Sequence, residues 1–557
     1  MRLLQIAAGF SSIIRRPLFT YPSRRNSSRI YQDLRSIRLN SLVDRDQDQL
    51  LEKFSTMEGF EQRTKGDLAS KPHVAVVGAG LAGLRCADVL LQYGFKVTVV
   101  EARDRIGGRL HQETLPNGHL VDVGPNWIHG TTDNPMLDIA KQTNTAVGSW
   151  DTRSYVFDQA GDLFDVDEGE AYTTLMWEIV QAAFKHSNKS YKDIHHDESL
   201  HDFFRQKVVE KIPDTEKDYD KKRKTIMQMS EMWGAFIGSP IFKQSLKFFW
   251  MEECIEGENL FCAGTYKKVL DAIAKPVLDG AEIKFKTKVQ GISYRRDPEE
   301  KVKIQVEGGQ TLGFDEVVVT TPLGWLKRNL DAFEPELPAR MTKAIEAISY
   351  GCLEKVYISF PSAFWLTPAG EERRVHGFVQ WISPNYAAES NPKQWNQEVV
   401  DLASLSPETS HPTLLFYTYG EQSQYITSHI AGLSSKEKDD FLLDFFKPYY
   451  SRLPHYSESD INCKPTGFMA SDWLHDELAG FGSYSNFQVG LENGDDDIRT
   501  MREGLPNQGL WLAGEHTAPF VGLGTATGAY WSGESVGRRI AESHGRTKRR
   551  SLGLGNL

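Results

Sequence analysis

The regular part of the chain begins with a short apolar run, His73–Val77. A glycine-rich segment follows, and apolar residues then recur at helical spacing as far as Gly94, a residue type that commonly ends a helix. A second apolar run, Phe95–Val100, ends in Glu101. This order predicts a buried strand, an amphipathic helix and a second buried strand, which together make one βαβ unit.

Beyond this unit the pattern changes twice. Residues 151–258 are highly charged and have helical spacing, which predicts a helical insertion with solvated faces. Apolar and alternating runs then return and predict further strands and a C-terminal helix. The predicted strands are Ile283–Val289, Val302–Val306, Phe314–Thr321 and Leu510–Ala513, and the predicted helix is Thr525–Glu542.

Composition narrows the class of protein. The 557 residues are enough for two or three domains, and no apolar run approaches the length of a membrane span. The formal net charge of −11 disfavours a nucleic-acid partner and is compatible with a small cationic substrate. The adjacent His195 and His196 have no obvious third ligand in the sequence, so we interpret them as surface residues and predict no metal site.

The first 40 residues contain eight arginines against one acid, Asp33, with interspersed serines. This composition is typical of a mitochondrial leader, although a disordered basic tail would have the same composition. The five cysteines include no CxxC pair and fit a reducing compartment. We therefore expect a cytoplasmic or mitochondrial protein, not a secreted one.

The glycine-rich segment has the context of a dinucleotide-binding loop. It follows a strand, opens a helix and precedes an acid at the end of the next strand. Gly78 allows the tight turn, Gly80 lets the backbone approach a pyrophosphate, and Gly83 lets helix and strand pack closely. Free N–H groups at the helix N-terminus suit phosphates, and Glu101 suits ribose hydroxyls.

The residues after Glu101 favour FAD over NAD. A longer dinucleotide that stays bound needs a second loop beneath its phosphates, and this segment supplies glycines and arginines for one. The predicted contacts in it are Ala102, Arg103, Gly108 and Arg109.

Several motifs in the same order resemble the flavin-containing amine oxidases, and most closely the polyamine oxidases. They are the EARDRIGGR segment at 101–109, Asp122–Gly130, Leu510–Thr517 and Gly524–Tyr530, and the resemblance covers residues 72–542. It implies oxidation of a carbon–nitrogen bond by hydride transfer to flavin N5, hydrolysis of the imine, and reoxidation by O2 to give hydrogen peroxide.

The implied fold is α/β: a two-domain FAD-binding Rossmann-like fold of the glutathione-reductase type, with a mixed α+β substrate domain that contains the helical insertion. We predict a leader at 1–70, FAD-binding parts at 71–150, 261–330 and 465–545, substrate-domain parts at 151–260 and 331–464, and a tail at 546–557. The oligomeric state is not predicted.

The resemblance also implies further FAD contacts. These are Gly124, Pro125, Asn126, Trp127, Val289, Thr321, Pro322, Trp473, Gly514, Glu515, Gly524, Thr525 and Ala526. Ser483 stands where monoamine oxidases carry the cysteine that bonds the flavin, so serine predicts non-covalent FAD.

Four residues are the predicted catalytic group. Lys355 is similar to the family lysine that bonds a water at flavin N5, where a cation would help O2 to accept electrons. His129 matches a position where a histidine can bind or deprotonate a substrate nitrogen. Trp473 and Tyr484 resemble the segment that places an aromatic beside the flavin. The second aromatic wall has no clear candidate, because Thr525 stands at the matching position and Tyr530 lies further along the helix.

Substrate-binding acids and alternative functions stay open. Glu252, Glu253, Glu256 and Glu258 are candidates for the distal cationic nitrogens of a polyamine. An L-amino-acid or other primary-amine oxidase, a chromatin factor of the flavin histone-demethylase type, and a protein that keeps FAD only as a structural prop are the alternatives.

Overall fold

The computed structural model describes residues 71–150, 153–366 and 375–546. The predicted leader at 1–70, and all of the predicted tail except Arg546, lie outside these ranges. Within them, no helix has both the length and the apolar character needed to cross a membrane.

A five-stranded parallel sheet forms the first half of the molecule, as the βαβ pattern predicts. Its central strands read as continuous apolar runs because both faces of the sheet are covered. Three helices, Leu81–Gln92, Lys267–Gly280 and Ala526–Ser543, pack on one face. In spatial order the strands are Leu510–Leu512, Glu316–Val319, His73–Val77, Lys96–Val100 and Glu282–Lys284.

A four-stranded sheet covers the other face of the parallel sheet through Ile292, Ile304 and Phe314. Its strands in spatial order are Thr311–Phe314, Val302–Val306, Val289–Ser293 and Phe333–Glu334.

Two predicted strands are each divided between these sheets, so the single-strand predictions are wrong. The run Ile283–Val289 breaks at Lys286, whose φ of 51° is left-handed and cannot continue a strand. The run Phe314–Thr321 breaks at Asp315, where the chain passes from one sheet to the other and the side chain accepts a hydrogen bond from the His73 N–H at 2.7 Å.

A six-stranded mixed sheet builds the second half. Helices Gly420–Ile430 and Ser435–Tyr450 pack on one face, and the other face carries aromatic residues toward the parallel sheet. Two segments cross the predicted domain divisions, since Gly467–Ala470 pairs in this sheet and Phe333–Glu334 pairs with Val289–Ser293. In spatial order the strands are Gly467–Ala470, Leu353–Ser359, Thr413–Tyr419, Gln397–Asp401, Phe378–Trp381 and Ser154–Phe157.

The charged segment predicted to be a helical insertion forms the helices Val166–Ser190, Leu200–Lys211 and Tyr219–Ser230. Ser199 begins the second of these with a capping box, in which its side chain and that of Asp202 each accept a backbone N–H. The remaining helices are Pro135–Gln142, Gly234–Ile237, Leu323–Arg328, Ala339–Ala347 and Gly494–Glu503. The remaining strands pair as Gln112–Thr114 with Leu120–Asp122, Trp127–Ile128 with Leu260–Phe261, and Ser349–Tyr350 with Ser485–Asn486.

Glu316, in the second strand of the parallel sheet, joins this strand to the edge strand and to elements outside the sheet. Its buried carboxylate accepts hydrogen bonds from Arg295, Trp511 and His544, each at 2.9 Å. We expect Glu316→Ala to lower the free energy of unfolding by about 3–5 kcal/mol, because it leaves the Arg295 guanidinium buried without its counter-charge. Urea titration measures the loss, with the exposed partner in the Arg296–Glu334 pair, Glu334→Ala, as the control. A loss as small as that of the control would contradict this account.

Candidate active site

A cavity of about 650 Å³ lies between the carboxyl ends of the parallel strands and the aromatic face of the six-stranded sheet. Ligands of open α/β sheets bind at this edge. Among the predicted site residues, the cavity wall contains Gly78, Gly80, Glu101, Ala102, Arg103, Gly108, Arg109, Gly124, Pro125, Asn126, Trp127, His129, Val289, Thr321, Pro322, Lys355, Trp473, Tyr484, Gly514, Glu515, Gly524, Thr525 and Ala526. Gly83 lies behind the wall, in the helix–strand contact.

The three glycines of the loop have distinct surroundings. Gly78 has a φ of +106°, which residues other than glycine rarely adopt. A Cβ on Gly83 would lie 2.0 Å from the Gly78 carbonyl oxygen, so helix and strand touch there through backbone alone. A Cβ on Gly80 would meet no protein atom within 4 Å, because Gly80 faces the open cavity at the N-terminus of helix Leu81–Gln92.

Glu101 fixes this loop from the next strand. Its carboxylate accepts the backbone N–H of Ala79 at 2.7 Å and that of Arg103 at 2.8 Å. Each carboxylate oxygen can still accept a second bond from the cavity. Across the cavity, the Thr321 Oγ1 is buried and has no hydrogen-bond partner within the described residues, so it offers another polar contact to a ligand.

Glu515 lies on another side of the dinucleotide part of the cavity, by which we mean the part predicted to hold the dinucleotide. The buried carboxylate accepts hydrogen bonds from the Ser485 hydroxyl at 2.6 Å and from Arg109 at 3.1 Å. Burial would raise the pKa of Glu515, but Arg109, His516 and the Ser485 hydrogen bond together hold that pKa below its usual value. Glu515 is therefore a fixed negative group on the wall.

Lys355 reaches the cavity from the second strand of the six-stranded sheet. Its Nζ donates to the Gly124 carbonyl and to the Asp122 carbonyl, and it lies 5.8 Å from the centre of the Tyr417 ring. Burial lowers the pKa of Lys355, and the nearby Asp122 carboxylate opposes that shift. Lys355 is only 5% exposed.

Trp473 lies in a segment that is next to Lys355 in space. Glu354 holds this segment through the Ser471 hydroxyl at 2.5 Å and the Leu474 N–H at 3.0 Å, and burial raises the pKa of Glu354 to about 8. The Trp473 indole N–H donates to the Val123 carbonyl at 3.2 Å. These bonds fix the indole against the cavity wall.

Tyr484 and Thr525 stand on the wall near the last helix. The Tyr484 hydroxyl donates to the Phe236 carbonyl at 2.7 Å. Thr525 caps helix Ala526–Ser543, because its hydroxyl accepts the Gly528 N–H at 2.9 Å. Tyr530 is not on the wall and stacks with Arg85, whose guanidinium carbon lies 4.7 Å from the ring centre. Neither Thr525 nor Tyr530 therefore supplies a second aromatic wall.

Three aromatic residues that the sequence did not indicate, Trp150, Phe378 and Tyr417, join the predicted Trp127 on the wall, and the four rings form an aromatic chamber. Trp127 stacks on Phe378 with ring centres 5.9 Å apart, and Trp150 packs edge-on against Phe378 and at a tilt against Trp127. The Trp127 indole N–H donates to the Tyr417 hydroxyl at 3.1 Å, which keeps both rings in place.

Acidic residues on the wall differ from those predicted. Glu258 lines the cavity and is exposed, whereas Glu252, Glu253 and Glu256 are absent from the wall as the structure describes it. The wall also contains Glu398, a buried residue that the sequence prediction missed. There was little signal for it in the sequence, because Glu398 follows the polar residues Asn396 and Gln397 and precedes only two apolar residues.

Two histidine positions have different settings. His129 lines the cavity, and its Nδ1 lies 3.3 Å from the Asn259 Oδ1. His195 and His196 lie outside the cavity, at the surface, where Asp197 brings a possible ligand atom within 4.8 Å of both. Asp197 is thus a possible third donor that the sequence did not indicate, but the group is mostly exposed and points to no particular ion, so the expectation of no metal site stays a prediction.

The dinucleotide part of the cavity fits FAD. Gly80 leaves space for a close approach, the N-termini of helices Leu81–Gln92 and Ala526–Ser543 meet the cavity, and Thr321 offers an unpaired hydroxyl. Ser483 lies on the wall, where its hydroxyl donates to the Gly351 carbonyl at 3.0 Å.

Comparison with known proteins agrees with this site. A family model described as flavin containing amine oxidoreductase matches residues 81–541, and one described as pyridine nucleotide-disulphide oxidoreductase matches residues 42–117. A protein of Arabidopsis thaliana named probable polyamine oxidase 4 is 29% identical over 479 residues, which are 84% of this chain and 86% of that protein.

A second protein and a solved structure have lower sequence identity to this chain. The lysine-specific histone demethylase 1 homolog 2 of Arabidopsis thaliana is 27% identical over 83% of this chain, but over only 57% of that protein. The solved structure of a redesigned putrescine oxidase double mutant shares the fold, with a TM-score of 0.61 at 18% identity, over 85% of this chain and 99% of that one. The chain belongs to the flavin-containing amine oxidoreductase family and is an FAD-dependent amine oxidase.

Proposed function

We propose that this enzyme oxidises polyamines and passes the electrons to O2, releasing an aldehyde, a shorter amine and hydrogen peroxide. One observation carries the choice of substrate. The aromatic chamber has two carboxylates on its wall, Glu258 and Glu398, and they suit cationic nitrogens. The similarity to a plant protein named as a polyamine oxidase supports the same choice.

The arginines argue against an amino-acid oxidase. Within the described residues, the cavity wall has two arginines, Arg103 and Arg109, and both belong to the dinucleotide part. Arg103 pairs with Asp476 at 2.7 Å and Arg109 pairs with Glu515 at 3.1 Å. Neither is available to bind a substrate carboxylate in the chamber, as an amino-acid oxidase requires.

Bound FAD supplies the electron acceptor for the carbon–nitrogen bond. The chain's own task is to orient a neutral amine and exclude water. Trp473, Tyr484 and the stacked Trp127 give flat apolar walls for the carbon chain. His129 is placed to accept a proton from a substrate ammonium. Ser483 offers no thiol to bond the flavin, so we propose that FAD is held non-covalently.

A peroxide-release assay on the purified, FAD-loaded enzyme tests this function. The panel contains spermine, spermidine, their N-acetyl forms, benzylamine and several L-amino acids. We expect the polyamines to give the highest kcat/KM, with one aldehyde and one shorter amine identified by mass spectrometry. Peroxide from amino acids or benzylamine, and none from any polyamine, would contradict the proposal while leaving the family assignment intact.

A further inference from the structure

Four side chains form a row across the six-stranded sheet. Lys355 pairs directly with Tyr417, Tyr417 with Glu398, and Glu398 with Gln380. Residues directly opposite each other in neighbouring strands project from the same face, and all four line the cavity. Because adjacent strands lie about 4.8 Å apart, the backbones of Lys355 and Glu398 are roughly 10 Å apart.

Glu398 has no basic neighbour directly beside it in this row, since Tyr417 stands between it and Lys355. It is 7% exposed and receives a hydrogen bond from the Gln380 side chain. No basic side chain in the described ranges forms an ion pair with it, and burial raises its pKa to about 8. The Gln380 Oε1 is also buried, and it has no hydrogen-bond partner in the part of the chain that the structure describes.

The two groups together make a site for one ammonium. A primary ammonium has three N–H donors and no acceptor, whereas the Glu398 carboxylate and the Gln380 carbonyl are acceptors side by side. Trp127 and Phe378 stack in the same chamber, where aromatic faces add attraction for a cation.

We propose that Glu398, with Gln380 beside it, binds the second ammonium of a diamine or polyamine whose other end is oxidised near Lys355. This inference rests on the proposed function and identifies the part of the chamber that selects the substrate. The row fixes the distance between the oxidised end of the substrate, near Lys355, and the Glu398 carboxylate. A monoamine has no second ammonium to place at this carboxylate, so Glu398 discriminates against it.

Glu258 is the weaker candidate for this role. Its side chain is exposed, so water and salt screen its charge. A charge pair formed with the buried Glu398 is screened much less. Because burial raises the pKa of Glu398 to about 8, the free acid is largely protonated at neutral pH, and it releases its proton to solvent when the ammonium enters.

Calorimetric titration of the FAD-loaded enzyme tests the inference. The enzyme is reduced with dithionite under nitrogen so that turnover does not consume the ligand, and is titrated with putrescine and with butylamine. We expect wild type to bind putrescine about 100-fold more tightly than butylamine, the size of effect typical of a buried hydrogen-bonded charge pair. Glu398→Gln should reduce that preference to about threefold or less and leave butylamine binding unchanged.

Two further variants serve as controls. Gln380→Leu should reduce the preference about tenfold, because it removes one neutral acceptor and keeps the charge. The exposed Glu421, which pairs with Lys393 at the surface, gives the matched control Glu421→Gln with both affinities unchanged. If Glu398→Gln fails to hold FAD, the preference of Gln380→Leu tests the inference instead, and an unchanged preference in that variant contradicts it.

The inference is overturned if wild type does not prefer putrescine, or if Glu398→Gln keeps the preference with full FAD content. It is also overturned if Glu258→Gln, rather than Glu398→Gln, removes the preference. Failure of the proposed function looks different, because the enzyme would then release no peroxide from polyamines whatever the binding data show.

Discussion

Lys355→Met is expected to slow the reaction of the reduced enzyme with O2 by about 100-fold, which is the usual cost of removing one group that stabilises developing negative charge. The Nζ of Lys355 donates to the carbonyls of Gly124 and Asp122, and the residue lines the cavity, so an ammonium there would stabilise negative charge that develops in the cavity. Stopped-flow mixing of the amine-reduced enzyme with oxygenated buffer measures this step.

The rate of anaerobic reduction by substrate separates this role from a general structural one. We expect Lys355→Met to change that rate by less than about tenfold, because the role predicted for the lysine is in the reaction with oxygen and not in that with the amine. Lys275, an exposed lysine paired with Asp279, provides the control Lys275→Met with both steps unchanged. Equal losses in both steps, or no loss in the reaction with O2, would refute the assigned role.

Gly83→Ala is expected to prevent formation of the FAD-bound enzyme. The added Cβ would lie 2.0 Å from the Gly78 carbonyl oxygen, and both groups are backbone, so helix and strand would have to separate at the loop. Thermal unfolding and the flavin content of the purified protein measure the effect. A Gly83→Ala enzyme with full FAD content and wild-type thermal stability would contradict the packing role of this glycine.

Gly80→Ala is the matched variant at the same loop. Gly80 has a φ of −73° and open space beside it, so alanine fits the apoprotein without strain. We expect unchanged stability of the apoprotein but FAD binding weaker by about 10- to 100-fold, the cost of overpacking a close contact. Flavin fluorescence titration of apoprotein measures the affinity. Wild-type affinity would show that the pyrophosphate does not come close to the Gly80 backbone.

The dinucleotide half could be predicted from the sequence because its geometry depends on local chemistry. The positive φ at Gly78 and the backbone contact at Gly83 require glycine at fixed spacing, and Glu101 follows at the end of the next strand. The same pattern could not show where a strand changes sheets, so Lys286 and Asp315 were both inside predicted strands.

The substrate half was harder to predict because it depends on long-range register. Glu398 and Gln380 are 18 residues apart in the sequence, and only the pairing of their strands puts them beside Tyr417 and Lys355. The acids near Glu258 were candidates because of their charge, which does not indicate which side chain faces a cavity.

Anaerobic mixing of the purified enzyme with spermidine, followed by the visible absorbance of its flavin, tests the central claim most directly. The account predicts that the oxidised flavin band bleaches, and that air restores it with release of hydrogen peroxide. A flavin that spermidine and other polyamines leave oxidised, while another class of amine bleaches it, would contradict the polyamine assignment. A protein that takes up no FAD would contradict the account of the site from Gly78 onward.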